Sequence, residues 1–255
     1  MRIFILGCGG SRGIDSRPTA FLIDESLLLD SGTASEVLSL EDCARIDNIL
    51  ITHAHIDHIC DLPFLVEAVF DLRKEPIFLY GIKEAIEDIS SHLLNGTIWP
   101  DFSRIPNPKE AKLSYKTLKP LENLKIGSYT VLPIPVNHTV PSVGYLVDDG
   151  KTAFAFTGDT YLTNSFWEKI QNNERLRAII IEASFPNRLE EMARITKHLT
   201  PDLMARELSK LNRMDVEIYV THLKPFCRKE VVADLDSLSK KLPLKILEDG
   251  MQIKL

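Results

Sequence analysis

The sequence predicts an α/β protein in which two β-sheets pack against each other and helices cover their outer faces. The chain has 255 residues, 44% of them hydrophobic, so it can bury a sizeable core. Each half of the chain begins with short strand-like runs and continues into helix-like segments, which favours two sheets with helices outside them. No Gly/Ser-rich linker divides the chain, so we expect one domain over residues 1–255.

In the first half, apolar runs bounded by turn-forming residues are typical of strands. They predict strands at residues 1–7, 19–24, 26–32, 46–53 and 76–81. Apolar residues at helical spacing predict helices at residues 33–44, 61–72 and 83–94. The stretch 95–111 contains several Pro and Asn residues, which indicates a long loop.

In the second half, strands are predicted first and helices alternate with strands afterwards. The predicted strands are residues 111–119, 129–138, 142–150, 152–159, 176–184 and 216–222. An Asp-Gly pair at 149–150 is a hairpin turn signal between two of them. The predicted helices are residues 164–173, 202–212 and 229–242, and the chain closes with a strand-like stretch at 244–255.

The charge pattern disfavours one class of partner. The formal charge is -6 and the acidic and basic residues are interleaved, so bulk nucleic-acid binding is disfavoured. The N-terminal apolar run is too short for a signal peptide or a membrane span, so we expect a cytoplasmic protein with no membrane partner. The four cysteines contain no C-x-x-C pair, which fits reduced thiols.

The segment "ITHAHIDHIC" concentrates polar side chains between isoleucines. His53, His55, Asp57 and His58 follow a strand-like run and precede a helix-like one, a strand-to-helix turn of the kind where active sites collect. Imidazole and carboxylate groups at this spacing suit zinc, manganese or iron. The alternative is a chance histidine cluster on a surface turn, but polar groups in an apolar setting need partners.

Three further polar residues stand at the ends of later strand-like runs: His138, Asp159 and His222. Each alone is more often a hydrogen-bonded loop residue than a ligand. Together with the first four residues they supply seven donors, which is enough for two metal ions that share a bridging carboxylate. The sequence therefore predicts a dinuclear metal site.

These motifs resemble those of the metallo-β-lactamase fold hydrolases, whose hallmark is H-x-H-x-D-H followed by His, Asp and His. The resemblance implies a four-layer αββα sandwich and two divalent ions, Zn²⁺ first, with Mn²⁺ or Fe²⁺ as alternatives. It implies that one ion is held by His53, His55 and His138, the other by Asp57, His58 and His222, with Asp159 between them. Ions in such a site generate hydroxide near neutral pH and neutralise phosphate oxygens.

The reaction is predicted from two residues outside the ligand set, His198 and Glu182. Opening a phosphodiester requires a proton for the departing oxygen, and His198 held by Glu182 could give it. The alternatives are a histidine that only precedes a helix start, and a glutamate in a surface salt bridge. Asp57 is expected to act in catalysis beside this pair.

The segments "EASFPN", "HLTPDLMARELSKL" and "VTHLKP" resemble the class II cyclic nucleotide phosphodiesterases. That resemblance implies hydrolysis of a small 3',5'-cyclic nucleotide to a 5'-nucleotide, and a homodimer as a further expectation. The alternatives are a tRNA 3'-processing endonuclease or other nuclease, and a thioesterase or lactonase. A diiron oxygen-reducing module is disfavoured because no flavin domain fits in this length. Lys197 departs from the family, which usually has a small residue at this position.

Other residues are predicted with weaker support. Lys224, Ser184 and Phe185 are expected to contact the substrate, although a solvated lysine and a core phenylalanine are the competing interpretations. Thr52 and Thr221 each precede a metal histidine and could orient it, and strand propensity explains them equally well. A stretch with His92, Asn95 and Trp99 resembles the wall of the family's substrate pocket.

Overall fold

The computed structural model describes residues 1–213, 215–240 and 242–255, and these residues form two seven-stranded mixed sheets. In each sheet one half is antiparallel and the other is parallel. The first sheet has the order β14-β1-β2-β3-β4-β5-β6 and the second β13-β12-β11-β10-β9-β8-β7.

The strands of the first sheet are β1 (Arg2–Gly7), β2 (Ala20–Ile23), β3 (Leu27–Leu29), β4 (Asn48–Leu50), β5 (Ile77–Ile82), β6 (Leu113–Leu118) and β14 (Gln252–Lys254). Those of the second are β7 (Leu124–Ile126), β8 (Tyr129–Pro135), β9 (Val143–Asp148), β10 (Ala153–Phe156), β11 (Leu176–Glu182), β12 (Glu217–Thr221) and β13 (Leu244–Ile246). The α-helices are α1 (Leu40–Cys43), α2 (Ile56–Ile59), α3 (Leu62–Ala68), α4 (Lys83–Asp88), α5 (Ser165–Ile170), α6 (Glu190–Thr196), α7 (Pro201–Leu208) and α8 (Arg228–Ser239).

Three apolar clusters separate the four layers. The central cluster joins the facing sides of the two sheets, with Phe21 and Phe156 in edge-to-face contact at 5.2 Å. A second cluster lies between the first sheet and α3 and α4, and a third lies between the second sheet and α5, α7 and α8. In β2, Phe21 and Ile23 face the central cluster while Ala20 and Leu22 face the helices. Strands buried on both faces explain why these runs are apolar throughout rather than alternating.

The predicted fold class, two sheets with helices outside, is confirmed. The Asp-Gly hairpin is confirmed as well, since β9 and β10 pair antiparallel. Among the described residues, no helix combines the length and the apolar character needed to cross a membrane. Cys8, Cys43, Cys60 and Cys227 are free thiols in the described part of the chain.

Two element predictions need correction. Only residues 40–43 of the helix predicted at 33–44 are helical, because the backbone N–H and hydroxyl of Ser35 bond to Asp61 and hold the preceding stretch in a turn. The closing stretch 244–255 is two strands in different sheets, β13 and β14. Helix α6 was not predicted. Of the helix predicted at 229–242, residue 241 lies outside the described residues, and α8 ends at Ser239.

Several strand ends meet at one edge of the sandwich. The chain leaves β4, β8, β10, β11 and β12 there, and the segments that follow carry the polar residues singled out in the sequence. Connections at the carboxyl ends of parallel strands are where α/β folds place ligands. This edge is therefore the candidate active site.

Candidate metal centre and active site

The seven predicted ligands come together in the structure. Their ligand atoms form groups in which all atoms lie within 4.8 Å of one another. Two groups consist of predicted ligands alone. The first contains His53, His55, His138 and Asp159, and the second contains Asp57, His58 and His222. A third group joins Asp159 and His222 to His198. The sequence spacing therefore predicted a real spatial cluster.

The H-x-H-x-D-H segment achieves this convergence by changing conformation midway. His53 and His55 lie on the extended stretch after β4, and α2 begins at Ile56. Asp57 and His58 are then on the first turn of that helix, turned toward the other ligands. His138 reaches the first group from the loop after β8, with its Nε2 3.1 Å from His55 Nδ1.

Asp159 lies between the two groups. Its Oδ2 is 3.1 Å from His222 Nε2, 3.3 Å from His58 Nε2 and 3.8 Å from His53 Nε2. The residue follows β10 and is 2% exposed. A carboxylate in this position can contact an ion in either group.

Buried polar groups orient the histidines from behind. Asp30 Oδ2 accepts from His58 Nδ1 at 2.7 Å, and Asp30 Oδ1 accepts from the backbone N–H of Thr52 at 2.8 Å. The Thr52 hydroxyl also lies 3.0 Å from His53 Nδ1. With Nδ1 of His53 and His58 engaged in this way, Nε2 of both rings is directed at the cluster.

His138 and His222 are oriented by the same principle. The backbone carbonyl of Lys197 accepts from His138 Nδ1 at 3.0 Å, and Thr19 Oγ1 lies 3.2 Å from His222 Nδ1. The predicted role of Thr52 is consistent with its contact, but Thr221 donates to the carbonyl of Cys8 at 3.2 Å and does not orient His222 through its hydroxyl. Sequence reasoning missed Thr19 and Asp30.

The cluster fits a metal on the evidence of its own polar atoms. Nε2 of His53, Nε2 of His58 and Oδ1 of Asp159 are buried and have no hydrogen-bond partner among the described residues. Buried polar atoms in folded proteins are almost always paired, so three such atoms in one cluster indicate that partners are missing there. Imidazole and carboxylate donors suit a divalent ion such as Zn²⁺, Mn²⁺ or Fe²⁺.

The electrostatics of the cluster favour the ligand forms of His53, His138 and Asp159 but the protonated form of His58. Burial lowers the pKa of His138 to about 4 and holds the pKa of His53 well below its usual value, so both rings are neutral at pH 7. Burial would raise the pKa of Asp159, but His222 and His58 outweigh it and hold that pKa well below its usual value. Burial also opposes charge on His58, but Asp159 and Asp30 outweigh it and raise its pKa, so ion binding would release a proton there.

The second predicted pair lies directly beside this cluster. His198 Nδ1 is 2.9 Å from Glu182 Oε1, and it is 3.9 Å from Asp159 Oδ2. Glu182 is 0% exposed, which excludes the surface salt bridge considered from sequence. Burial would lower the pKa of His198, but the Glu182 carboxylate outweighs burial and raises it.

Glu182 is itself held by four hydrogen bonds. Its Oε1 accepts from His198 and from the backbone N–H of Thr160 at 2.8 Å. Its Oε2 accepts from the Ser184 hydroxyl at 2.6 Å and from the backbone N–H of Leu199 at 3.2 Å. A carboxylate bound on all sides fixes the ring of His198 in one orientation.

The position of His198 depends on how α6 ends. Lys197 adopts the left-handed conformation, with φ of 58°, and terminates that helix. Its carbonyl thereby reaches His138, while the next residue turns toward Glu182. Thr200 then caps α7 by accepting from the backbone N–H of Leu203.

The predicted substrate contacts divide into one at the site and two behind it. Lys224 Nζ lies 3.6 Å from Asp57 Oδ2 and donates to the carbonyl of Gly10 at 2.6 Å, so its charge stands at the edge of the cluster. Ser184 is 0% exposed and its hydroxyl donates to Glu182. Phe185 is 5% exposed, with its ring 5.8 Å from that of His198. A substrate contact for these two needs correction, because both are buried behind His198.

Of the three residues in the expected wall segment, His92 lines a cavity next to His55. Asn95 shapes its own loop, since its Oδ1 accepts from the backbone N–H groups of Thr97 and Ile98. The ring of Trp99 packs edge-on against Phe64 at 5.1 Å.

Comparison with known proteins decides the family. A model of the β-lactamase superfamily domain matches residues 21–223, most of the chain. The chain belongs to this superfamily. Its two sheets and outer helices are the metallo-β-lactamase αββα sandwich, and that fold implies divalent metal binding.

Two curated relatives and one solved structure show what the chain is similar to. It is 29% identical over 203 residues to the 3',5'-cyclic-nucleotide phosphodiesterase of Aliivibrio fischeri, a match that covers 71% of this chain and 60% of that protein. It is 30% identical over 162 residues to the ribonuclease Z of Metallosphaera sedula, which covers 60% of this chain and 50% of that protein. The crystal structure of unliganded yeast PDE1 superposes with a TM-score of 0.83 at 21% identity, over 100% of this chain and 99% of that one. The chain is thus similar to proteins named as phosphodiesterases and to a protein named as a nuclease.

Proposed function

We propose that the protein is a dinuclear metal-dependent phosphodiesterase that hydrolyses 3',5'-cyclic nucleotides to 5'-nucleotides. The observation that carries the proposal is the buried His198–Glu182 pair beside the histidine and aspartate cluster. A phosphodiester needs a proton for its departing oxygen, whereas hydrolysis of a thioester or lactone would not require this pair. The similarity to a protein named 3',5'-cyclic-nucleotide phosphodiesterase supports the same reaction.

Two groups of residues would hold the ions. We assign His53, His55 and His138 to one ion, Asp57, His58 and His222 to the other, and Asp159 to both, with Zn²⁺ as the first choice and Mn²⁺ or Fe²⁺ as alternatives. Ions bound there supply Lewis acidity for the phosphate oxygens and lower the pKa of water toward neutrality.

The residues around the cluster then have separate tasks. His198 gives the proton on its Nε2 to the departing 3'-oxygen, while Glu182 keeps Nδ1 engaged and stabilises the charged ring. Lys224, at the edge of the site, binds a phosphate oxygen as a point charge. Asp57 also reaches that edge, where its carboxylate orients the attacking water by accepting a hydrogen bond.

A tRNA 3'-processing endonuclease is the second candidate. The similarity to a protein named ribonuclease Z favours it, and the same proton donor would serve that reaction. The interleaved charges and the net charge of -6 weigh against a polyanionic substrate. A panel of cAMP, cGMP and a precursor tRNA, given to the metal-loaded protein, distinguishes the two, and turnover of the tRNA alone would reject the first proposal.

Replacement of the proton donor gives the sharper test of mechanism. We expect His198→Ala to lower kcat for the cyclic nucleotide by about 10²- to 10⁴-fold, because the 3'-alkoxide is then released without a proton. The same variant should lose far less activity on methyl p-nitrophenyl phosphate, whose nitrophenolate departs without protonation. Metal content, measured by elemental analysis, should be unchanged. Equal losses on both substrates would contradict the assigned role.

The remaining expectations, a cytoplasmic location and a homodimer, stay predictions. Ultracentrifugation of the metal-loaded protein tests the second of them.

A further inference from the structure

A cavity of about 280 Å³ opens beside the metal cluster, on the side of His55. Its walls include the apolar side chains of Ile59, Leu93 and Val140, and its polar edge is formed by Asp88 and His92. The mechanism described above uses none of these five residues. A concave apolar site with a few polar groups at one edge is the usual form of a small-molecule pocket.

The wall that carries the polar edge has an unusual backbone. Helix α4 ends at Asp88 and continues as a π-helical turn over Ile89–Leu93. Such turns are rare and are frequently found at functional sites. Here the turn brings His92 and Leu93 to the same cavity, one as a hydrogen-bonding group and the other as apolar wall.

The cavity borders the candidate catalytic site at His55. This residue lines the cavity, and its Nδ1 is 3.1 Å from His138 Nε2 within the metal cluster. A substrate whose phosphate lies on the cluster can therefore place another part of the same molecule in this neighbouring cavity. The volume lies just below the range of about 300–1,000 Å³ for whole ligands, so the cavity suits one part of a nucleotide.

We propose that this cavity binds the base of the nucleotide substrate, an inference that rests on the proposed function. A nucleobase has flat apolar faces and an edge of hydrogen-bond donors and acceptors, which matches apolar walls beside a carboxylate and an imidazole. Asp88 accepts from an amino or imino N–H of the base edge, and His92 pairs with a neighbouring ring nitrogen or carbonyl oxygen.

An exposed aromatic residue on the His198 side is the competing location. Phe226 is 74% exposed, and its ring lies 6.2 Å from that of Phe185, which in turn packs near His198. It offers a stacking surface, but it brings no hydrogen-bonding edge comparable to Asp88 and His92. The concave site beside His55 offers both apolar walls for the faces of a base and polar groups for its edge.

Binding of a 5'-nucleotide, compared with binding of the sugar phosphate that lacks the base, tests the proposal. Calorimetry of the metal-loaded protein should show 5'-AMP or 5'-GMP binding at least about tenfold more tightly than ribose 5-phosphate. Val140→Trp, which fills the cavity, should remove that advantage while the affinity for ribose 5-phosphate changes by less than about twofold. Leu72→Trp, at an exposed leucine outside the cavity, is the matched control and should keep the advantage.

A second variant covers the case in which Val140→Trp does not fold. Asp88→Ala combined with His92→Ala removes only exposed polar groups and should weaken nucleotide binding about three- to tenfold, with ribose 5-phosphate unaffected. The proposal is overturned if the wild type shows no base advantage, if the advantage survives both cavity variants, or if Phe226→Ala removes it instead. Absence of cyclic nucleotide turnover with the base advantage intact would reject the proposed function alone.

Discussion

Asp30 shows how much of the site depends on a single residue outside the ligand set. It is 0% exposed, has a left-handed backbone with φ of 57°, and accepts hydrogen bonds from both Thr52 and His58. Aspartate and asparagine are among the few residues that tolerate this backbone conformation. Asparagine can therefore replace it without new backbone strain, while the charge that binds His58 is lost.

We expect Asp30→Asn to weaken metal binding by about 10- to 100-fold, because partners of this kind fix the orientation and raise the basicity of a ligating histidine. Competition with a chromophoric chelator measures the change. The control is Asp71→Asn at an exposed position, which should bind metal as the wild type does. Equal affinities of the two variants would show that Asp30 supports the fold rather than the ion.

At the residue scale the sequence predicted ligand types better than their supports. The cluster of seven candidate ligands was predictable because H-x-H-x-D-H is compact and the other three residues end strand-like runs. Thr19 was not, since it lies 203 positions from His222 and an isolated threonine carries no pattern. Ser184 was predicted to contact the substrate because it lies two residues after Glu182. The sequence does not reveal that both side chains are buried.

At the scale of elements, the end of α6 illustrates a strained position that serves the site. Lys197 has φ of 58°, a conformation that costs a residue with a Cβ about 1–2 kcal/mol and a glycine almost nothing. Its ammonium group lies 5.5 Å from the ring centre of Tyr161, which recovers part of this cost. The carbonyl that holds His138 does not depend on the side chain.

Lys197→Gly should therefore stabilise the protein by about 0.5–1 kcal/mol, the relief of backbone strain less the lost contact with Tyr161. Urea unfolding of the metal-loaded protein measures the difference. Lys197→Val, whose branched Cβ tolerates this backbone worse, should destabilise instead. A stability ranking with valine above glycine would contradict the assigned strain.

A second element-scale feature is the ion pair that joins the β9–β10 hairpin to the start of β11. Asp148 is 7% exposed and accepts from Arg175 Nε at 2.9 Å and from the backbone N–H of Gly150 at 2.7 Å. Burial alone would raise the pKa of Asp148, but these hydrogen bonds outweigh burial and lower it. The folded protein thus favours the charged carboxylate.

The sign of the pH effect follows from the lowered pKa. The stabilisation is complete above the unfolded-state pKa of about 3.9 and is lost as the pH falls through the lower folded-state pKa. Asp148→Asn should cost about 1 kcal/mol at pH 7, and its difference from wild type should shrink below about pH 4. Urea unfolding at both pH values checks this, with the exposed Asp236→Asn as a control that shows no gap at either pH. A gap that widens in acid would refute the assignment.

The sequence predicted most elements but not every boundary or partner. Strands β2 and β3 were recognisable in the sequence because they are apolar and bounded by turn-forming residues. The helix predicted at 33–44 failed because side-chain bonds from Ser35 to the distant Asp61 compete with helix formation. The assignment of β13 and β14 to different sheets depends on tertiary pairing, with β14 against β1 at the other end of the chain.

At the scale of the whole molecule, the fold class was predictable because apolar runs buried on both faces have few other solutions. The expectation of one domain over residues 1–255 stays a prediction. Sequence patterns could not predict how the two sheets pack against each other. This arrangement depends on the central cluster, where side chains from both sheets pack together.

Removal of the ions should have a global effect. Ions that bind only the folded protein stabilise it by about 2.7 kcal/mol at a free concentration 100-fold above Kd. The chelated protein should therefore unfold at a lower Tm, and readdition of Zn²⁺ should restore it. Asp159→Asn, which removes the central carboxylate, should show a much smaller response to Zn²⁺. An unchanged Tm of the wild type after chelation would contradict the metal assignment.

Each of the two ligand groups takes residues from both sheets. His53, His55, Asp57 and His58 follow β4 of the first sheet, whereas His138, Asp159 and His222 follow strands of the second. An ion bound by both acts as a cross-link between the halves of the sandwich, and neither half can form the complete site alone. We expect contacts that require docked sheets to form late in folding, so the ion should slow unfolding much more than it speeds folding. The rate of metal release from the purified protein would then equal the rate at which the two sheets separate.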